Sequence, residues 1–451
     1  MSEWKEYRLE ELLDITSSKR IMRDEYTSNG IPFYRSKEII ELNSGNKIST
    51  ELFISTKRFN DIKEKFGVPQ EGDILLTSVG TLGVPYLVNE TDHFYFKDGN
   101  LTWFKNFSHK INSKFLFYWF LSDIGKQSIN YISIGSTQKA LTIASLKKLT
   151  ITLPPIEYQE KICSILSDID TKITLNTQTN QTLEQIAQAI FKHWFIDFAP
   201  VHAKANALAR GETIEQAELA AMVCLSGKTV EKITALKTQD PTAYHQLQQT
   251  AAAFPSEFVE TEMGEVPRGW EILKFKDFVK ETKEKVGKLQ GVEEYSVGNE
   301  GIYPRKEKYK KQLAKDPSKN KLIRAANIVF GMGNKEVNWG IMQDKVGSVS
   351  SAYNIFQINN VNHLFLEMLI NNIPYYFRDI IKPTSRQGQT IDKEAFLEKV
   401  IYYPNKEIIN IFLEKITQIN ELSICIKSQN IYLLSIRDYL LPKLLGGEIK
   451  L

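Results

Sequence analysis

The chain has 451 residues, 42% of them hydrophobic and 25% charged, with a formal net charge of +3. That length predicts two to four domains at roughly 100–200 residues each, and the ordinary composition argues against a disordered chain. The near-balanced charge gives no argument for a nucleic-acid partner by itself, so such a reading rests on where the charge sits. Cys163, Cys224 and Cys425 form no CxxC pair and are odd in number, which argues against a disulfide framework or a zinc site and suits a reducing cytoplasm. The charged N-terminus lacks an apolar signal core, and the longest apolar run, Phe115 to Leu121, falls far short of the roughly 20 residues that cross a bilayer. The expected location is cytoplasmic, with no membrane partner.

Residues 1–155 read as an α+β module in which short apolar runs such as Ile74-Leu75-Leu76 alternate with Gly- and Asn-bearing turns. A loose polar set lies early in it: Lys19, Arg20, Arg23, Tyr34, Arg35, Ser36 and Lys37. Such side chains neutralise phosphates or read base edges. Near its end comes the compact turn Gly135-Ser136-Thr137-Gln138-Lys139. It either presents amide, hydroxyl and backbone N–H groups to DNA or simply caps the next helix.

Residues 156–262 read as a central helical spacer. Pro154-Pro155 punctuates its start, because a residue before proline leaves the helical region. Ile162, Leu166, Ile169, Ile173, Asn176, Asn180, Leu183, Ala187, Ile190 and Trp194 then recur in steps of four and three. This 3.5-residue period marks a helix that packs along another helix. About 40 residues at 1.5 Å each make a rod of roughly 60 Å, the length of a spacer. An insert from about 200 to 255 is rich in Ala, Glu and Gln and predicts two or three short helices, either a partner-binding face or a linker.

Residues 263–405 form a second mixed module, with apolar runs such as Ile328-Val329-Phe330. Between 305 and 324 stand nine basic residues, Arg305, Lys306, Lys308, Lys310, Lys311, Lys315, Lys319, Lys321 and Arg324, against Glu307 and Asp316, a net of +7. Tyr303 and Tyr309 interleave. A run so one-sided favours phosphate contact over a merely solvated loop. The segment Thr384-Ser385-Arg386-Gln387-Gly388-Gln389 is the counterpart of the Gly135–Lys139 turn. Residues 406–451 repeat the helical spacer, with Phe412, Ile416, Ile419, Ser423, Ile426, Asn430, Leu433, Arg437, Leu440 and Leu444 in the same register. Pro442 predicts a kink or an ending.

The two halves repeat at an offset of 250 residues: Ile151 to Pro154 aligns with Ile401 to Pro404, and the register holds without a gap for about 45 residues. Trp4 mirrors Trp270, and Gly72-Asp73-Ile74-Leu75-Leu76 mirrors Ala326-Asn327-Ile328-Val329-Phe330. Asn180 and Asn430 occupy equivalent seam positions. The expected fold class is therefore α+β: two similar mixed modules, separated by long helices that pair as an antiparallel coiled coil with pseudo-twofold symmetry.

Catalytic motifs fail. Gly227-Lys228-Thr229 lacks the upstream glycine of a phosphate loop, since Met222 stands there. Asn371-Asn372-Ile373-Pro374-Tyr375-Tyr376 has isoleucine where an amino-methyltransferase needs proline, and reads as a helix break before aromatic core. The six histidines show no metal-ligand pair.

Several phrases together carry a family resemblance. They are Gly30-Ile31-Pro32-Phe33-Tyr34-Arg35, Gly72 to Gly83, Leu153-Pro154-Pro155-Ile156-Glu157-Tyr158-Gln159-Glu160, Phe191 to Phe198, Glu262 to Trp270 and Leu440 to Ile449. In this order, with the repeat, the chain resembles the specificity subunit of type I restriction–modification systems. The second half departs from the pattern at Ala326–Gly331. The resemblance implies that each mixed module is a target-recognition domain reading one half of a split double-stranded DNA site. It implies two methyltransferase (modification) subunits bound to the helices, a nuclease/translocase (restriction) subunit alongside, and no catalytic site in this chain. S-adenosylmethionine would belong to the first partner, ATP and Mg2+ to the second. The rival readings are a self-sufficient DNA methyltransferase or nuclease, opposed by the missing motifs, and a protein-only coiled-coil adaptor, opposed by the +7 segment.

Overall fold

The computed structural model describes residues 4–44, 48, 52–133, 139–262, 264–299, 301–309, 311–332, 337–383, 389–449 and 451. The chain divides into two compact units, 1–180 with 424–451, and 181–423.

In the first unit a four-stranded antiparallel sheet has the order Asp14–Thr16, Leu101–Lys105, Ile74–Thr77, Pro85–Leu87. Ile74 to Thr77 is buried along its whole length, as a central strand covered on both faces requires. A second sheet orders Tyr26–Thr27, Phe53–Ile54, Ile31–Tyr34 and Tyr95–Phe96, the last pair parallel. Lys5–Arg8 pairs antiparallel with Thr150–Leu153, Tyr7 opposite Ile151, and closes the module. Pro154 and Pro155 follow at once, and the helix Ile156–Phe191 begins. Its first turns bury Ile162 and Leu166 completely, together with Leu441, Leu444 and Leu445. Each such side chain contributes about 1.5–3 kcal/mol of burial.

The second unit has the same frame. Its sheet runs Val279–Glu281, Asn354–Ile358, Asn327–Phe330, Trp339–Ile341. Glu271–Lys274 pairs antiparallel with Val400–Tyr403, Leu273 opposite Ile401, directly before the helix Lys406–Leu445. The repeat extends to single hydrogen bonds. Gly72 N–H donates to Val88 O and Val88 N–H to Asp73 O, while Ala326 N–H donates to Met342 O and Met342 N–H to Asn327 O, all at 2.9–3.0 Å. Asp73 accepts from Gln70 N–H as Asn327 accepts from Arg324 N–H. Gly72 has φ +85° and Ala326 φ +60°, so alanine holds a left-handed position that glycine fills in the first half.

The long helices pair within each unit. In the first, Arg437 meets Asp170 at 3.1 Å and Asn176 meets Asn430 at 2.8 Å, so the chains run antiparallel. In the second, Phe191, Trp194 and Phe195 surround Phe412 with ring centroids 5.0–5.9 Å apart. That cluster continues through Phe254, Trp270 and Phe365. Pro442 stands three residues before the helix ends at Leu445. With so few turns beyond it, the missing N–H leaves little ladder to disrupt.

The insert forms four helices rather than two or three: Ala199–Ala209, Ile214–Ser226, Val230–Gln239 and Pro241–Ala253. Thr213, Thr229 and Asp240 cap three of them. Gly227 ends one helix at φ +63° just before Thr229 caps the next, which is a helix–helix turn and not a phosphate loop. Tyr375, at φ +57°, follows the helix His363–Asn372 as the expected break. Among the described residues no group of His, Cys, Asp and Glu could hold a metal, and no helix is long and apolar enough to cross a membrane.

Candidate nucleic-acid interface

In the first unit the turn Lys97–Asn100 gathers three of the candidate residues, Arg20, Tyr34 and Ser36. Asp98 pairs with Arg20 at 3.3 Å, Lys97 N–H donates to Tyr34 O at 2.8 Å, and Ser36 Oγ donates to Asn100 O at 3.1 Å. Ser78 N–H also donates to Asn100 O, and Leu141 N–H donates back to Ser78 O, which brings Lys139 to the same edge. Tyr34 stacks on Phe94 at 4.6 Å, and burial raises its hydroxyl pKa. Arg35 is a local clamp: its guanidinium and its N–H both bind the fully buried Glu38 and start the helix Ser36–Asn43. Lys37 lies 3.5 Å from Glu41 on that helix. Arg23 opens a short exposed turn and is not tied to the Lys97–Asn100 turn. Ser136, Thr137 and Gln138 lie outside the described residues.

In the second unit the basic segment leaves the strand Gly301–Pro304. Arg305 organises it: Nε donates to Lys311 O at 2.9 Å, Nη1 donates to Ser296 Oγ at 3.1 Å, and the guanidinium stacks 4.5 Å over Tyr309. Glu294 accepts from Leu313 N–H and Asn320 Nδ2, pinning the far side of the loop. Lys306, Lys319 and Arg324 are paired with Glu293, Asp316 and Glu284. Lys321 donates to Tyr353 O at 2.6 Å, which leaves less free charge than the +7 count suggests. Lys308, Lys311 and Lys315 are exposed and in no ion pair among the described residues, with Lys308 resting 4.4 Å over Tyr303. Gln389 begins a strand paired with Ile381–Pro383, and its side-chain oxygen is buried without a partner. Lys310, Arg386 and Gln387 lie outside the described residues.

The Lys97–Asn100 turn was missed by sequence reading. Asp98-Gly99 is a turn signal, but nothing in its spelling shows that three separate segments bond to it.

A family model described as type I restriction modification DNA specificity domain matches residues 1–185. The chain is 32% identical to the type I restriction enzyme HindI specificity subunit of Haemophilus influenzae, over the full length of both. It is 25% identical to the MjaIX specificity subunit of Methanocaldococcus jannaschii, covering 94% of this chain and 88% of that one. A crystal structure of a type I restriction–modification S subunit from M. genitalium aligns over 98% of this chain and 96% of that one, at 14% identity and a TM-score of 0.48. The chain belongs to the type I restriction enzyme specificity subunits. As such it is a non-catalytic subunit, and the family brings no catalytic cofactor into this chain.

Proposed function

We propose that the chain recognises an asymmetric, bipartite site in double-stranded DNA and directs methylation and restriction there by its partner subunits. One observation carries this reading. The two units repeat a frame down to single backbone hydrogen bonds, yet present different polar side chains: Arg20, Arg23, Tyr34, Arg35, Ser36, Lys37 and Lys139 on one, and Arg305, Lys306, Lys308, Lys311 and Gln389 on the other. One frame with two surfaces suits two different half-sites. Ser136, Thr137, Gln138, Lys310, Arg386 and Gln387 belong to the same proposal on sequence grounds.

In this reading residues 1–155 and 263–405 are the recognition domains, and 156–262 and 406–451 form the spacer that sets the unread gap. Arg35 and Arg305 position the loops, and the exposed lysines meet phosphates. Two methyltransferase subunits supply S-adenosylmethionine chemistry, and a nuclease/translocase subunit uses ATP and Mg2+, all in the cytoplasm.

A map of adenine methylation in the host with and without the gene tests this. Loss of one asymmetric, gapped motif on deletion supports it, and a contiguous or palindromic motif overturns it. Removing seven residues from the Ile162–Trp194 heptads is expected to change the gap or abolish assembly.

A further inference from the structure

We infer that the first unit carries a phosphate cradle, made by Lys19, Lys105 and the hydroxyl of Ser17, that grips one phosphodiester of the duplex. The inference rests on the DNA reading above and adds a site to it. A concavity of about 260 Å3 is lined by these three residues with Thr16, Ser18, Phe66, Tyr95 and Trp103. At about 30 Å3 per water, that is room for several waters or one phosphate group.

Both lysines rest on aromatic faces. Lys105 Nζ stands 4.0 Å over the Trp103 ring and Lys19 Nζ 4.9 Å over Phe66, and neither is in an ion pair among the described residues. Resting on a ring face holds an ammonium extended while leaving its hydrogens to donate. The platforms are themselves fixed. Trp103 is 3% exposed and donates its indole N–H to Asp73 at 2.8 Å. Asp73 also accepts from Gln70 N–H, and its carboxylate acts on Lys105 through charge without an ion-pair contact. Arg20 pairs with Asp98, and Asp14, opposite Lys105 in the strand pair, accepts from Asn106 Nδ2.

The hydroxyl wall is also set. The N–H of Lys19 donates to Tyr95 Oη at 2.7 Å, which locks the backbone of the segment. Ser17 Oγ accepts from Gly99 N–H at 3.5 Å, leaving its own proton to donate. Ser18 Oγ is buried beside Tyr95 and Thr16 Oγ1 donates to Ser17 O at 3.3 Å, so these two residues wall the concavity without donating into it. One hydroxyl donor and two ammonium groups around one concavity are the complement of an oxyanion.

The repeat shows that the fold does not require this arrangement. Thr16 faces Trp103 across the first sheet, and Glu281 faces Phe356 at the equivalent place in the second. There the carboxylate of Glu281 is taken by Lys393 and Lys283. The second unit thus has an internal ion-pair cluster where the first has open cations.

The test uses Lys19→Met with Lys105→Met in the full chain, purified with its methyltransferase partner. Methionine keeps an apolar stem over each ring, so the melting temperature serves as the folding control. The readout is binding to a duplex carrying the methylated motif. The double variant is expected to bind roughly tenfold more weakly, and its log–log salt slope to fall by about 0.9, one phosphate contact. A neutral methylphosphonate at the gripped position should weaken the parent and leave the double variant unchanged, while arginine at both positions restores the slope. Unchanged affinity and slope in a folded double variant overturn the cradle. So does a loss that couples to no phosphate position. Stabilisation of the parent by inorganic phosphate, with duplex binding unaltered in the variant, would make it a small-anion pocket instead. A parent that binds no duplex at all sinks the DNA reading itself.

Discussion

Asn176 donates its side-chain N–H to Asn430 Oδ1 at 2.8 Å across the paired helices of the first unit. The same amide donates to Gln429 Oε1 at 2.8 Å, and Asn430 returns its own N–H groups to Ile173 O and Thr177 Oγ1. Asn176 is 4% exposed, so this exchange stands in place of water. A buried amide pair on a helix seam fixes register, because any shift by a turn leaves both amides unmatched.

Replacing only Asn430 by leucine is therefore expected to destabilise the first unit by about 1–3 kcal/mol, since the amide of Asn176 stays buried with fewer partners. Leucine at both positions should recover most of that loss, because no polar group is left unpaired. Denaturant unfolding of the four chains in a double-mutant cycle checks this. A double variant no better than the worse single one would show that the amides do not act as a pair.

This pair also marks where the sequence stops being legible. The repeat places Asn180 and Asn430 at equivalent positions, yet equivalence in a repeat does not say which residues face each other across antiparallel helices. Asn430 therefore meets Asn176, while Asn180 keeps a buried oxygen without a partner. The equivalence of Ile151 and Ile401 was legible, because a gapless repeat with a proline after each is a long, redundant signal, but their pairing with Tyr7 and Leu273 comes from the fold. The interface was legible only in outline. Lys306 and Arg324 count as free charge in a sequence, but their partners Glu293 and Glu284 are supplied by the fold.

Ala326 and Gly72 give a stability prediction. Both sit at positive φ in the same repeated turn. A Cβ costs about 1 kcal/mol there through its contact with the backbone. Ala326→Gly is expected to raise the stability of the second unit by up to about 1 kcal/mol. Gly72→Ala should lower that of the first by about the same, because the added Cβ meets only Ser113 Oγ, at an ordinary 3.5 Å, and the strain is backbone strain alone. Opposite shifts in unfolding midpoint are the expected result, and shifts of one sign would refute the shared turn.

The basic loop separates organising charge from contacting charge. Lys311→Ala removes an exposed cation whose side chain is in no ion pair among the described residues. It should reduce the salt slope of duplex binding by about one with an unchanged melting temperature. Arg305→Ala removes the two hydrogen bonds and the Tyr309 stack that shape the loop. It should lower the melting temperature as well as the affinity, and Arg305→Lys should not rescue it, because an ammonium lacks the planar fork. Equal behaviour of the two alanine variants in both measurements would remove the distinction.

Glu367 makes the second unit sensitive to pH. It lies on the helix His363–Asn372 and accepts from Gln343 Nε2 at 2.7 Å. Burial is the largest influence on it and pushes its carboxyl up to about 7, although the bonds from Gln343 and the Ile341 backbone oppose that rise. An ordinary unfolded glutamate titrates near 4.3. The folded state therefore holds the proton more tightly, and this group's contribution is full below about pH 4.3 and is lost as the pH rises through about 7. Glu367→Gln keeps a neutral side chain at every pH. Its melting temperature should exceed that of the parent at pH 8, with the difference shrinking steadily toward pH 4.5. His363, whose pKa burial lowers, titrates in both chains and cancels from that difference. A gap that stays constant from pH 5 to pH 8 would mean that Glu367 ionises in the fold as it does in water.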